Sequence, residues 1–148
     1  MTPAQQRAFD QYWSRYGIEY AGERLDIDSL FKRTGPCVLE IGFGMGHSLV
    51  AMAEASPGTN VIVVEGHRPG VGKLFHGMQE RGVDNIRVYF HDAVDILRDC
   101  ISDGVLDGIQ IFFPDPWHKK KHHKRRLVQP ELVAQLAQKL KQKGTIHL

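Results

Sequence analysis

Short apolar runs alternate with helix-patterned stretches along most of the chain, and no other feature restricts its fold so much. The runs are Cys37-Val38-Leu39-Glu40-Ile41, Asn60-Val61-Ile62-Val63-Val64-Glu65, residues 86–90, and Gly108-Ile109-Gln110-Ile111-Phe112-Phe113. Their length and β-branched content suit buried strands. Residues 47–55, 69–81 and 93–101 between them read as helices. Residues 130–141 place Leu132, Leu136 and Leu140 four apart, on one helix face, and residues 144–148 open a fifth strand. Strands alternating with helices make βαβ units and a parallel sheet. Such sheets bind ligands outside the carboxyl ends of their strands, where the strand order reverses. Function is therefore to be sought in the residues that follow each strand.

Ahead of the alternation lies a different segment. Thr2-Pro3 matches a helix N-cap followed by proline at the first helical position. A helix over residues 3–16 then carries a stripe of Phe9, Tyr12, Trp13 and Tyr16 and ends at Gly17. A short helix over 28–32 precedes a break at Gly35-Pro36. The 148 residues amount to about one domain, with residues 1–34 as a helical extension and 35–148 as the core. No apolar run approaches the roughly 18 residues of a membrane helix, and residues 1–7 hold no apolar signal core, so a cytoplasmic protein is expected. Cys37 and Cys100 stand far apart in apolar contexts and read as buried free thiols. No cysteine spacing marks a zinc site, and no metal is expected.

Charge is distributed unevenly. The formal net charge is +2, yet residues 118–126 hold six of the nineteen Lys and Arg and no acid, so the rest of the chain carries −4. A local basic block on an acidic chain suits phosphate groups. The plainer reading is a solvated loop. Its place directly after Pro114-Asp115-Pro116-Trp117 argues for the former.

The strand ends supply the rest. After the first comes Glu40-Ile41-Gly42-Phe43-Gly44-Met45-Gly46, whose alternate glycines let the backbone turn sharply and approach a ligand. No Gly-Lys-Ser/Thr follows, so this is not a phosphate loop, and its last glycine comes one position early for the dinucleotide fingerprint. Glu65 ends the second strand, where an acid accepts hydrogen bonds from ribose hydroxyls or simply faces water. Asp92 follows the third strand, as the N-cap of the next helix, as a partner for the exocyclic amine of adenine, or as both. These acids and the glycine loop fit S-adenosylmethionine better than NAD, because there is an adenosine to hold and no pyrophosphate. Glu40 can offer negative charge to the ammonium of that cofactor. After the fourth strand Asp115 is fixed between two prolines, and Trp117 offers a flat face on which a base can stack.

Together, Leu39 to Gly46, Glu65-Gly66-His67-Arg68-Pro69-Gly70-Val71-Gly72, His91-Asp92-Ala93 and Phe112 to Lys119 resemble the bacterial tRNA (guanine-N7-)-methyltransferases, from about Gln5 to the last residue. The resemblance implies a Rossmann-like class I S-adenosylmethionine-dependent methyltransferase fold. It implies methyl transfer from that cofactor to N7 of a guanine in the tRNA variable loop, giving 7-methylguanosine. Glu40, Glu65 and Asp92 match cofactor contacts, with Gly42, Gly44 and Gly46 in the loop. Asp115 matches a position assigned both to the cofactor site and to catalysis. Lys119 matches a tRNA contact, and Lys121, His122, His123, Lys124, Arg125 and Arg126 fall in the RNA-contacting segment, with Trp117 beside them. Gly66 stands where an apolar residue is expected. Lys121 replaces the usual arginine, which keeps the charge and loses the planar fork. Family members continue past the fifth strand with a Thr-Asp motif and a substrate-binding C-terminal segment, so a C-terminally truncated sheet lacking its last strands is expected, as a monomer or weak homodimer.

Three rival readings exist. Exocyclic-amine nucleic-acid methyltransferases use Asp/Asn-Pro-Pro-aromatic after the same strand, but Asp115-Pro116-Trp117 lacks the second proline. An RNA-binding module without transfer activity would follow from truncation. A metal site at His118, His122 and His123 is disfavoured by the surrounding cations and the absence of a Cys or carboxylate partner.

Overall fold

The computed structural model describes residues 1–42, 46–112 and 130–147. Helix α1 (Pro3–Tyr16) starts at the expected cap, where the Thr2 hydroxyl accepts from the Gln5 N–H at 3.1 Å and the Gln5 side chain accepts from the Thr2 N–H at 3.0 Å. This reciprocal pair satisfies two of the donors that a helix start leaves open. Then follow β1 (Gly17–Ile18), α2 (Ile27–Phe31), β2 (Cys37–Ile41), α3 (His47–Ala55), β3 (Asn60–Glu65), α4 (Arg68–Arg81), β4 (Ile86–Phe90), α5 (Ala93–Asp99), β5 (Leu106–Ile111), α6 (Pro130–Lys139) and β6 (Leu140–His147).

The six strands among the described residues form one parallel sheet in the order β1-β4-β3-β2-β5-β6. The chain runs outward from β2 through β3 to β4, then returns to the other side of β2 for β5. The order therefore reverses between β2 and β5, and the crevice above that pair is where a ligand is expected. Each face of the sheet is covered. One cluster joins Val61, Val63, Ile86 and Val88 to α1, α3 and α4. The other joins Leu39, Ile62, Val64 and Ile109 to α2, α5 and α6. Cys37 and Cys100 are buried, free thiols, as their apolar contexts suggested.

Helices α2, α4 and α5 differ from the expected bounds by one or two residues, and three further differences bear on the sheet. The strand expected over 108–113 begins two residues earlier, at Leu106, which is fully buried, and ends at Ile111; Phe113 lies outside the described residues. The last helix stops at Lys139 rather than 141, and its strand starts at once. Leu140 completes the four-residue spacing of Leu132 and Leu136, yet it pairs with Leu106 in the sheet, because an apolar side chain serves either pattern. Gly17, expected only to end α1, opens a two-residue strand beside β4. A Cβ there would clash with the Trp13 ring, at 2.3 Å from its nearest atom, so only glycine lets the indole lie over the turn.

Candidate functional site

The carboxyl ends of β2, β3 and β5 meet at one place. The Gly42 N–H donates to the Val64 carbonyl at 2.9 Å, and the Phe112 N–H donates to the Ile41 carbonyl at 3.0 Å. Immediately beyond these bonds Gly42 turns with φ +66° and Gly46 with φ +83°, the left-handed region that side chains disfavour. A Cβ on Gly42 would stand 3.5 Å from the Phe112 carbonyl oxygen and 3.9 Å from Glu65 Oε2. The turn thus places bare backbone between the ends of β3 and β5. Gly46 caps α3 without a side-chain hydrogen bond. Gly44 lies outside the described residues.

Glu40 is the least ordinary residue of the site. Cys37, Leu39 and Ile41 on the same strand belong to the α5–α6 side. Glu40 therefore faces the other side, level with Val63 of the α1–α3–α4 cluster. It is buried, and its Oε2 has no hydrogen-bond partner among the described residues. Loss of water pushes its carboxyl up to about 7. A buried acceptor of this kind is costly unless something cationic or hydrogen-bonding meets it.

Glu65 ends β3 on that same face, two residues beyond Val63, and its Oε1 accepts the His67 N–H at 3.1 Å. His67 was not singled out by the sequence; its part is played by its backbone, which carries no residue signature. Asp92 caps α5, accepting the Val94 N–H at 2.8 Å, so the N-cap reading is correct and leaves the ligand reading open beside it. The structure thus brings Glu40, Gly42, Gly46, Glu65 and Asp92 to the carboxyl edge of the sheet. Phe112, 44% exposed, closes the β5 side. Asp115, Trp117, Lys119, Lys121, His122, His123, Lys124, Arg125 and Arg126 lie outside the described residues. Among the described residues no group of three potential metal ligands stands together, and no described helix is long and apolar enough to cross a membrane.

A family model described as "Putative methyltransferase" matches residues 34–148. A tRNA (guanine-N(7)-)-methyltransferase of Pseudoalteromonas atlantica is 53% identical over 148 residues, covering 100% of this chain and 62% of the relative. The enzyme of the same name from Pseudomonas paraeruginosa is 50% identical over 148 residues, covering 100% and 61%. The chain thus spans about three fifths of the length of these curated relatives. Among solved structures, an antibiotic-related methyltransferase superposes with TM-score 0.60 at 12% identity, covering 84% of this chain and 61% of its own. Human methyltransferase-like protein 13, solved with SAH, superposes with TM-score 0.55 at 18% identity, covering 82% and 57%. At such identities the likeness concerns the fold, which is the Rossmann-like fold of class I methyltransferases.

Proposed function

This chain belongs to the methyltransferase family whose model it matches, and on that premise we propose that it carries the cofactor-binding core of an enzyme that methylates N7 of a guanine in the tRNA variable loop. The observation that carries the cofactor half is Glu40: a buried carboxyl with an oxygen that has no partner among the described residues, beside the Gly42 turn at the reversal of strand order. S-adenosylmethionine would supply a methyl group already activated on a sulfonium. Its ammonium suits the Glu40 carboxylate, and its ribose hydroxyls suit Glu65. Asp92 would take the adenine amine while still capping α5. Gly42 and Gly46, with no Cβ, leave bare backbone toward the cofactor, and Gly44 is assigned to the same loop.

The substrate half rests on the names and the 53% and 50% identities of the relatives, and on the basic segment. Guanine N7 has a free lone pair, so no proton need be removed before attack, and alignment of the reacting groups carries much of the rate. Asp115 is assigned to the guanine: its carboxylate would accept from N1–H and the amino group and stabilise the positive charge that develops on the ring. Trp117 would stack on a base. Lys119, Lys121, His122, His123, Lys124, Arg125 and Arg126 would hold phosphates, which position the RNA without reading it. We assign residues 1–34 to an N-terminal extension and 35–148 to the core, working as a monomer or weak homodimer in the cytoplasm where tRNA is modified.

The test is methyl transfer to two transcripts, one with guanine and one with 7-deazaguanine, which lacks N7. Only the first should accept methyl; equal labelling of both refutes attack by N7. In the same assay Asp115→Asn should lower turnover far more than cofactor affinity. Weakened cofactor binding with normal turnover at saturation would remove Asp115 from the chemistry.

A further inference from the structure

The N-terminal segment reaches the cofactor site from the face opposite Glu40. The two-residue strand β1 sets the register: Gly17 pairs with Val88 and Ile18 with Tyr89. Continued two residues, that register brings Tyr20 level with His91. Their rings stack with centroids 4.0 Å apart and planes 9° from parallel. His91 is the residue directly before Asp92.

Both rings are tied to α5. The His91 Nε2 is 3.0 Å from Asp95 Oδ2, across the first turn of the helix. The Tyr20 hydroxyl donates to Asp99 at its last turn. Arg98 bridges the two acids, at 3.1 Å from Asp95 Oδ1 and 2.8 Å from Asp99 Oδ2. Arg98 and the Tyr20 hydroxyl together hold the Asp99 carboxyl well below the usual carboxylate range, so it remains a charged acceptor. Further along, Arg24 donates to the Ile101 carbonyl at 2.7 Å and the Leu25 N–H to the Cys100 carbonyl at 2.8 Å. Residues 20–25 thus form a strap tied to the two ends of α5.

The consequence falls on Asp92. Its backbone joins His91 to α5, and its carboxylate is already directed by the Val94 N–H. The stack fixes the residue before it, and the strap fixes the helix after it. We infer that Tyr20 and His91 are positioning residues for the cofactor site, holding the Asp92 carboxylate where it selects the adenine amine. The inference rests on the cofactor reading above. It makes the N-terminal segment part of the site, although residues 1–33 precede the part matched by the family model.

The experiment compares equilibrium binding of S-adenosylhomocysteine and its inosine analogue, in which oxygen replaces the adenine amine. The native chain should prefer the adenine form by about tenfold, the worth of one directed hydrogen bond. Tyr20→Ala should lose most of that preference, with adenine-form binding weakened about tenfold and inosine-form binding changed by no more than about twofold. Tyr20→Phe keeps the stack and should keep the preference. His91→Ala gives the same reading from the other ring if Tyr20→Ala does not fold. A parallel loss for both ligands, or an unchanged ratio in both alanine variants, overturns the inference. A native chain that binds both ligands equally also overturns it, while sparing the cofactor reading. Binding of neither ligand overturns both.

Discussion

Replacing Glu40 by glutamine should change how stability depends on pH. In the ligand-free chain the Glu40 carboxyl is buried and raised from 4.5 to about 7 by loss of water. Unfolding returns it to its ordinary value, so between those two values the native state holds a proton that the unfolded chain releases. Stability from this group is therefore fully present below about pH 4.5 and is lost as pH rises through about 7. A shift of that size is worth about 3 kcal/mol at about 1.4 kcal/mol per unit. Glutamine has nearly the same shape and does not titrate in this range. Its amide introduces an offset that is the same at every pH, so the slope is what distinguishes the two chains. Urea unfolding followed by circular dichroism from pH 5 to 9 should show native stability falling by about 3 kcal/mol relative to the variant as pH rises. At pH 8 S-adenosylhomocysteine should stabilise the native chain more than the variant, because its ammonium meets a carboxylate in one chain and a neutral amide in the other. Parallel stability curves across this range would refute the claim that Glu40 is buried and protonated in the ligand-free chain.

Packing and RNA binding give further predictions. Gly72 and Gly77 lie on the same helix, but a Cβ on Gly72 would come within 2.4 Å of the Gln5 carbonyl oxygen, whereas one on Gly77 would meet Val50 Cγ2 at 3.5 Å. Gly72→Ala should force α1 from α4 and destabilise by about 1–3 kcal/mol, while Gly77→Ala should stabilise by about 0.5–1 kcal/mol; thermal unfolding of both separates them, and equal effects would contradict the packing described. Neutralising Lys119, Lys121, Lys124, Arg125 and Arg126 together should weaken tRNA binding and flatten its dependence on salt. An unchanged slope would remove these residues from direct phosphate contact.

The central strands were legible because their residues leave little choice. Asn60 to Glu65 is a β-branched run with turn residues on either side, and its sheet neighbours differ only in detail. The Gly42 turn and the Asp92 cap were legible for the same reason: glycine at positive φ and aspartate before a helix are local preferences written in residue type. What could not be read depends on distant parts of the chain. Gly17-Ile18 has no strand pattern of its own and becomes one only by pairing with Val88 and Tyr89. The Tyr20–His91 stack joins residues 71 positions apart. Glu40 was recognisable as an acid in a useful place, but its burial follows from which face of β2 it occupies, and a strand with Val38 on the same face as Glu40 gives no clean alternation to reveal that. Leu140 misled because the leucine spacing of a helix does not say where the helix stops.

The most direct test of the account is the identity of the methylated nucleoside. An unmodified tRNA transcript would be incubated with S-adenosylmethionine and either this chain or a version extended to the length of its relatives, then digested and analysed by mass spectrometry. The account predicts 7-methylguanosine at the variable-loop position with the extended version at least, and the difference between the two chains measures what the added part contributes. A different methylated atom, or no product from an extended chain that is folded and binds S-adenosylhomocysteine, would contradict it.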